Sequence, residues 1–76
     1  MTKMQKNMLE AVNREIEIQF KDGSKPIRGQ CVGFTQPLDN DPEVASVEIK
    51  VHGYSCLFEI TEDQIKTLVI QLSSHF

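Results

Sequence analysis

The sequence predicts a small, mainly β fold, with five strands curling into a barrel behind one short amino-terminal helix. Three observations carry that prediction. The chain has 76 residues, room for one compact core and a single domain. Its apolar spacing changes near Glu15 from a helical period of about 3.6 to a strand period of about 2. Turn signals, Asp22-Gly23 and His52-Gly53, then separate short alternating runs. Several short strands joined this way favour a curled sheet, because closure removes exposed edges.

The helix is predicted over roughly residues 2 to 12. Thr2 and Gln5 have the spacing of a capping box, and Met1, Met4, Met8, Leu9 and Val12 fall on one helical stripe. That methionine-rich stripe reads as the face that packs on the sheet, or else as an adaptable docking surface. The barrel is predicted over about 14 to 72. In its first strand, Ile16, Ile18 and Phe20 alternate with Glu15, Glu17 and Gln19, the pattern of a half-buried antiparallel strand. After Asp22-Gly23 the second strand runs from about Ile27 to Phe34, with Pro26 at its start. Gly29 and Gly33 inside it permit bending or close backbone approach.

The stretch from Thr35 to Ala45, TQPLDNDPEVA, holds two prolines and three acids and reads as a loop. Asp39, Asp41 and Glu43 alternate, but they lack the full oxygen-ligand pattern and central glycine of a calcium loop, so they read as solvated turn residues. Val47, Ile49 and Val51 form the inward row of a third strand. His52-Gly53 then reads as a tight turn into a fourth, with Tyr54, Cys56, Phe58 and Ile60 on one face. Thr61 and Gln64 repeat the capping-box spacing, which predicts a single helical or 3₁₀ turn before a last strand over about Lys66 to Leu72. Ser73 to Phe76 reads as a frayed tail.

Eleven acidic against eight basic residues leave a net charge of −3, with no basic block. Such a balance disfavours general attraction to phosphate backbones and leaves only a local patch for that purpose. The amino terminus has no unbroken apolar run for a signal peptide, and nothing approaches the roughly 18 apolar residues of a membrane span, so the expected location is cytoplasmic. Cys31 and Cys56 lack C-x-x-C spacing and read as two buried thiols in a reducing compartment. No metal or cofactor is implied.

From Phe20 to Phe34 the chain reads FKDGSKPIRGQCVGF: a strand ending in an aromatic, Asp22-Gly23, a glycine at Gly29, then Val32-Gly33-Phe34. This resembles the first half of the Sm-like motif, the family of archaeal and eukaryotic Sm proteins and the bacterial host-factor RNA chaperone. The helix-then-five-strands order is similar as well. The resemblance implies an Sm-like or SH3-like barrel, pairing of the fourth and fifth strands between subunits of an oligomer, and association with RNA or transcription complexes. The Rho-binding antitermination inhibitor, similar in fold, acts on a protein, so an adaptor without nucleic-acid binding is the alternative.

Two departures bear on function. Where Sm proteins carry an aspartate and, four residues on, an asparagine around the bound base, this chain has Thr35 and Asp39, with Asn40 one step late. Where their second motif carries basic residues, it reads Phe58-Glu59-Ile60-Thr61-Glu62-Asp63, an acidic run that repels phosphate.

No residues have the spacing of a nucleophile, base and orienting group, and neither His52 nor His75 has a motif partner, so the expectation is a binding module rather than an enzyme. The candidate nucleic-acid or partner surface is Lys25 and Arg28 beside the first turn, Lys50 and His52 around the second, and Tyr54 as a stacking platform. Leu57 and Val69 alternate out of phase with the core rows of their strands, which makes them candidate oligomer contacts unless the helix or barrel closure covers them.

Overall fold

The computed structural model describes residues 1–37 and 44–71. Asp39, Asn40, Asp41 and Glu43 of the acidic loop, Leu72, and the tail 73–76 with His75 lie outside the described residues. Within them the chain forms helix α1 (Lys3–Glu10) and strands β1 (Glu15–Phe20), β2 (Ile27–Thr35), β3 (Ser46–Lys50), β4 (Leu57–Thr61) and β5 (Ile65–Ile70). A 3₁₀ turn, Glu62–Gln64, joins β4 to β5. All pairings are antiparallel, in the order β4-β3-β2-β1-β5. The protein is therefore mainly β, a five-stranded antiparallel sheet with one short helix. The sheet is open, with β4 and β5 as its two edges.

Helix α1 starts where its cap predicts. The Thr2 hydroxyl accepts from the Gln5 N–H and the Gln5 side chain accepts from the Thr2 N–H, both at 3.0 Å, so two otherwise orphaned donors are satisfied. The helix ends at Glu10, short of the predicted Val12, and Asn13 takes φ +70, a conformation asparagine tolerates better than most residues. Its N–H donates to the Cys31 carbonyl at 2.7 Å, which turns the chain into the sheet.

The methionine stripe is only partly the packing face. Met8 and Ala11 are fully buried and Met4 and Val12 half-buried, whereas Met1 and Leu9 are exposed. The buried side runs through Met4, Met8 and Ala11, at i, i+4 and i+7, which turns Leu9 away from the sheet.

Sheet packing follows the alternation. Ile16 and Ile18 of β1, Cys31 of β2, Val47 and Ile49 of β3, and Ile60 and Ile65 close the core with Met8. Truncating one such buried isoleucine to alanine costs about 2–5 kcal/mol, a large part of the stability of a domain this small. Strand β2 carries the geometry that makes this core possible. Cys31 pairs with Ile49 and Gly33 with Glu48, leaving Val32 as an extra residue, a bulge that returns Phe34 to the core side of the sheet.

Its bend is visible in two hydrogen bonds of the 3₁₀ turn. The Glu62 N–H donates to the Ala45 carbonyl at 2.8 Å, and the Lys21 N–H donates to the Gln64 carbonyl at 3.0 Å. The same three-residue turn thus touches the start of β3 and the end of β1, which lie at opposite ends of β2. Laid straight, the nine residues of β2 would span about 30 Å. The strand must bend sharply for both contacts to exist. Gly29 permits it: a Cβ there would lie 2.5 Å from the Lys50 carbonyl oxygen and 2.9 Å from Ile49 Cγ2.

Three further expectations change. The turn between β3 and β4 is not tight: Lys50 pairs with Leu57, so six residues, Val51–Cys56, connect them. Tyr54 and Cys56 consequently lie in the connection rather than on the inward row, and Cys56 is exposed while Cys31 is buried. Strand β5 begins at Ile65 and ends at Ile70. Among the described residues no helix is long and apolar enough to cross a membrane.

Candidate functional site

Two connections place the candidate residues. Lys21–Pro26 joins β1 to β2, and Val51–Cys56 joins β3 to β4. Asp22 organises the first: its carboxylate accepts from the Ser24 hydroxyl and from the Ser24 N–H at 2.8 Å, which holds its pKa below the ordinary 3.8. In the second, the Tyr54 N–H donates to the Val51 carbonyl at 3.1 Å, and Tyr54 packs edge-on against Phe58, with ring centroids 5.3 Å apart and planes at 75°. Tyr54 stays 59% exposed.

Between the two connections lies a groove of about 370 Å³. Lys25, Pro26, Ile27 and Arg28 form one wall, and Val51, Tyr54 and Phe58 the other. It is an aromatic and aliphatic slot with two cations on one rim. A second groove of about 400 Å³ is polar and is lined by Glu15, Gly29, Gln30, Lys50 and His52 together with Arg28. Arg28 belongs to both. All five residues named from the sequence, Lys25, Arg28, Lys50, His52 and Tyr54, therefore lie on two adjoining grooves, although they come from β2, β3 and their flanking connections.

The reason is register. Gln30 pairs with Lys50 across β2 and β3, and with Glu15 across β1, so the chain runs two residues past this row to Arg28 on one strand and His52 on the other. Arg28 leans over β1: its Nη2 donates to Gln71 Oε1 at 2.6 Å and its Nε lies 3.6 Å from Glu15 Oε2. Sequence reading missed Glu15, Gln30, Phe58 and Gln71. Glu15 and Gln30 show nothing but polar alternation, and their place in the groove follows from pairing across strands.

Leu57 and Val69 are exposed by 49% and 46%, one on each open edge of the sheet, and α1 covers neither. Two rungs along β3 from Lys50 the sheet is acidic. Glu48 and Glu59 face each other across β3 and β4, and the Ser46 hydroxyl donates to Glu59 Oε2 at 3.1 Å. Glu62 accepts from the Thr2 hydroxyl at 2.9 Å and from Gln5 Nε2 at 2.8 Å, which docks the start of α1 onto the 3₁₀ turn. Cys31 is walled in by the core, and burial pushes its thiol pKa above the ordinary 9.0. Among the described residues no group of three or more His, Cys, Asp or Glu is placed to hold a metal ion.

No family model matches this chain, and no curated protein or solved structure is significantly similar to it.

Proposed function

We propose that this chain is a cytoplasmic, non-enzymatic binding module whose curled sheet is a variant of the Sm-like barrel, and that its cation-rimmed aromatic groove holds single-stranded RNA. The observation that carries the reading is the meeting of Lys25 and Arg28 with the exposed side chain of Tyr54 in one groove. Cations track a phosphate backbone, and an exposed aromatic stacks any base, worth about 1–3 kcal/mol per stacked base. Self-association belongs to the same reading. Among the described residues both sheet edges are unpaired and each carries an outward apolar side chain, so a second copy would pair β4 with β5 and cover Leu57 and Val69.

Fluorescence anisotropy with a labelled single-stranded oligonucleotide tests the RNA reading. Reversing Lys25 and Arg28 together to glutamate abolishes binding if the groove is the site; binding that survives both changes removes this surface from consideration. Light scattering after size exclusion tests assembly: the wild type runs as an oligomer and Leu57→Glu as a folded monomer, and a monomeric wild type ends the edge-pairing reading.

The second reading is an adaptor for a protein partner. Net charge −3 and the facing pair Glu48 and Glu59 favour it, since both repel a phosphate backbone. Purified protein free of excess ultraviolet absorbance from nucleic acid, and indifferent to added oligonucleotide, is its expected signature.

A further inference from the structure

Among the described residues Arg28 is the one side chain that lines both grooves, and it is restrained. A guanidinium has five N–H donors in a rigid plane. One of them is committed to Gln71 Oε1 at 2.6 Å, and the Nε side faces Glu15 Oε2 at 3.6 Å, longer than a hydrogen bond but well within ion-pair range. The remaining donors stay available to a ligand. Both partners of the ion pair are more than half exposed, and pairs of that kind add only about 0–1 kcal/mol to stability. Their effect on a ligand is larger than their effect on the fold. Within the polar groove, the cations Arg28 and Lys50 are offset by one carboxylate, Glu15, which leaves one net positive charge among these three residues.

We propose, resting on the RNA reading above, that Glu15 and Gln71 are specificity-determining and positioning residues that make Arg28 a directional hydrogen-bond donor rather than a general polyanion trap. Gln71 holds the guanidinium plane over the junction of the grooves, where a phosphate would lie beside a base stacked on Tyr54. Glu15 removes half of the polar groove's positive charge. That loss penalises ligands bound by charge alone, above all duplexes, whose charge density is about one per 1.7 Å of axis. It penalises a single strand less, because stacking on Tyr54 does not depend on charge. Glu15 thus selects flexible, unpaired strands over dense polyanions.

The test compares a short single-stranded RNA with a duplex of equal length, by anisotropy over a range of potassium chloride concentrations, for wild type, Glu15→Gln and Gln71→Ala. Circular dichroism confirms folding of both variants; Glu15 is exposed and Gln71 half-buried, and a substitution at an exposed site such as Glu15 stays within about 0.5 kcal/mol of wild type. Glu15→Gln tightens duplex binding by about tenfold and single-strand binding by only about threefold, and steepens the salt slope by about 0.7–0.9. Gln71→Ala weakens single-strand binding by about threefold, the loss of one well-placed hydrogen bond, with the slope unchanged. A wild-type preference and slope that persist in Glu15→Gln overturn the inference while the RNA reading stands. A wild type that binds neither ligand overturns both.

Discussion

The two connections that frame the groove share one backbone device and differ in everything else. Lys21–Pro26 and Val51–Cys56 are each six residues long, and each has glycine third, at φ +81 in Gly23 and +92 in Gly53. Neither glycine has any atom within 4 Å of where a Cβ would stand, so conformation, and not space, demands glycine at both. The first connection is polar, organised by Asp22 bonding to Ser24, and it presents Lys25. The second is organised by an aromatic pair, and it presents Tyr54. Similar turns can therefore be anchored by hydrogen bonds or by packing, and a groove between the two inherits a charged wall and an apolar one.

Breaking the anchors separates the two cases. Phe58→Ala removes the half-buried ring on which Tyr54 rests and is expected to cost about 2 kcal/mol in urea unfolding, below the 3–5 kcal/mol of a fully buried phenylalanine. Lys25→Ala, on the polar side, stays within about 0.5 kcal/mol of wild type. Equal losses for the two variants would show that packing does not distinguish the connections. Alanine at Gly23 and at Gly53 sharpens the shared part of the comparison. Each forces an L residue to positive φ and is expected to cost about 1–2 kcal/mol, by the same measurement.

The smallest effect is one of pH. The folded pKa of Asp22 is depressed, so its contribution to stability is present above the unfolded value and fades as pH falls through the folded one. Asp22→Asn should flatten the acid limb of stability against pH below about pH 4 and leave the neutral range nearly unchanged. An acid limb that stays as steep would show that the bond to Ser24 carries no charge dependence.

The two cysteines mark how far local pattern reaches. Each sits between apolar neighbours at strand-like spacing, yet Cys31 is buried and Cys56 is exposed. Cys31 pairs with Ile49 of β3 on one side and exchanges backbone hydrogen bonds with Asn13 and Arg14 on the other, so alternation decides its burial. Cys56 lies one residue before β4 begins, where no partner strand imposes a face. A thiol reagent should accordingly modify Cys56 in the native protein and Cys31 only on unfolding.

Much of the candidate site was legible as residue types: cations beside one turn, and a cation, a histidine and a tyrosine beside another. Their convergence was not, because it depends on the pairing of β2 with β3 and on the lean of Arg28 across β1 toward Gln71.

By itself the sequence determined the helix cap at Thr2, five strands of mainly alternating burial, the glycine turns and the 3₁₀ turn after Thr61. Each of these depends on interactions within a few residues, which composition and spacing encode directly. Tertiary structure decided the rest: which end of the methionine stripe is buried, that β4 and β5 remain open edges, how sharply β2 bends around Gly29 and its bulge, and that Glu15 and Gln71 hold Arg28. Those outcomes depend on register between strands far apart in the chain, and a one-residue shift in register would exchange the faces of the sheet.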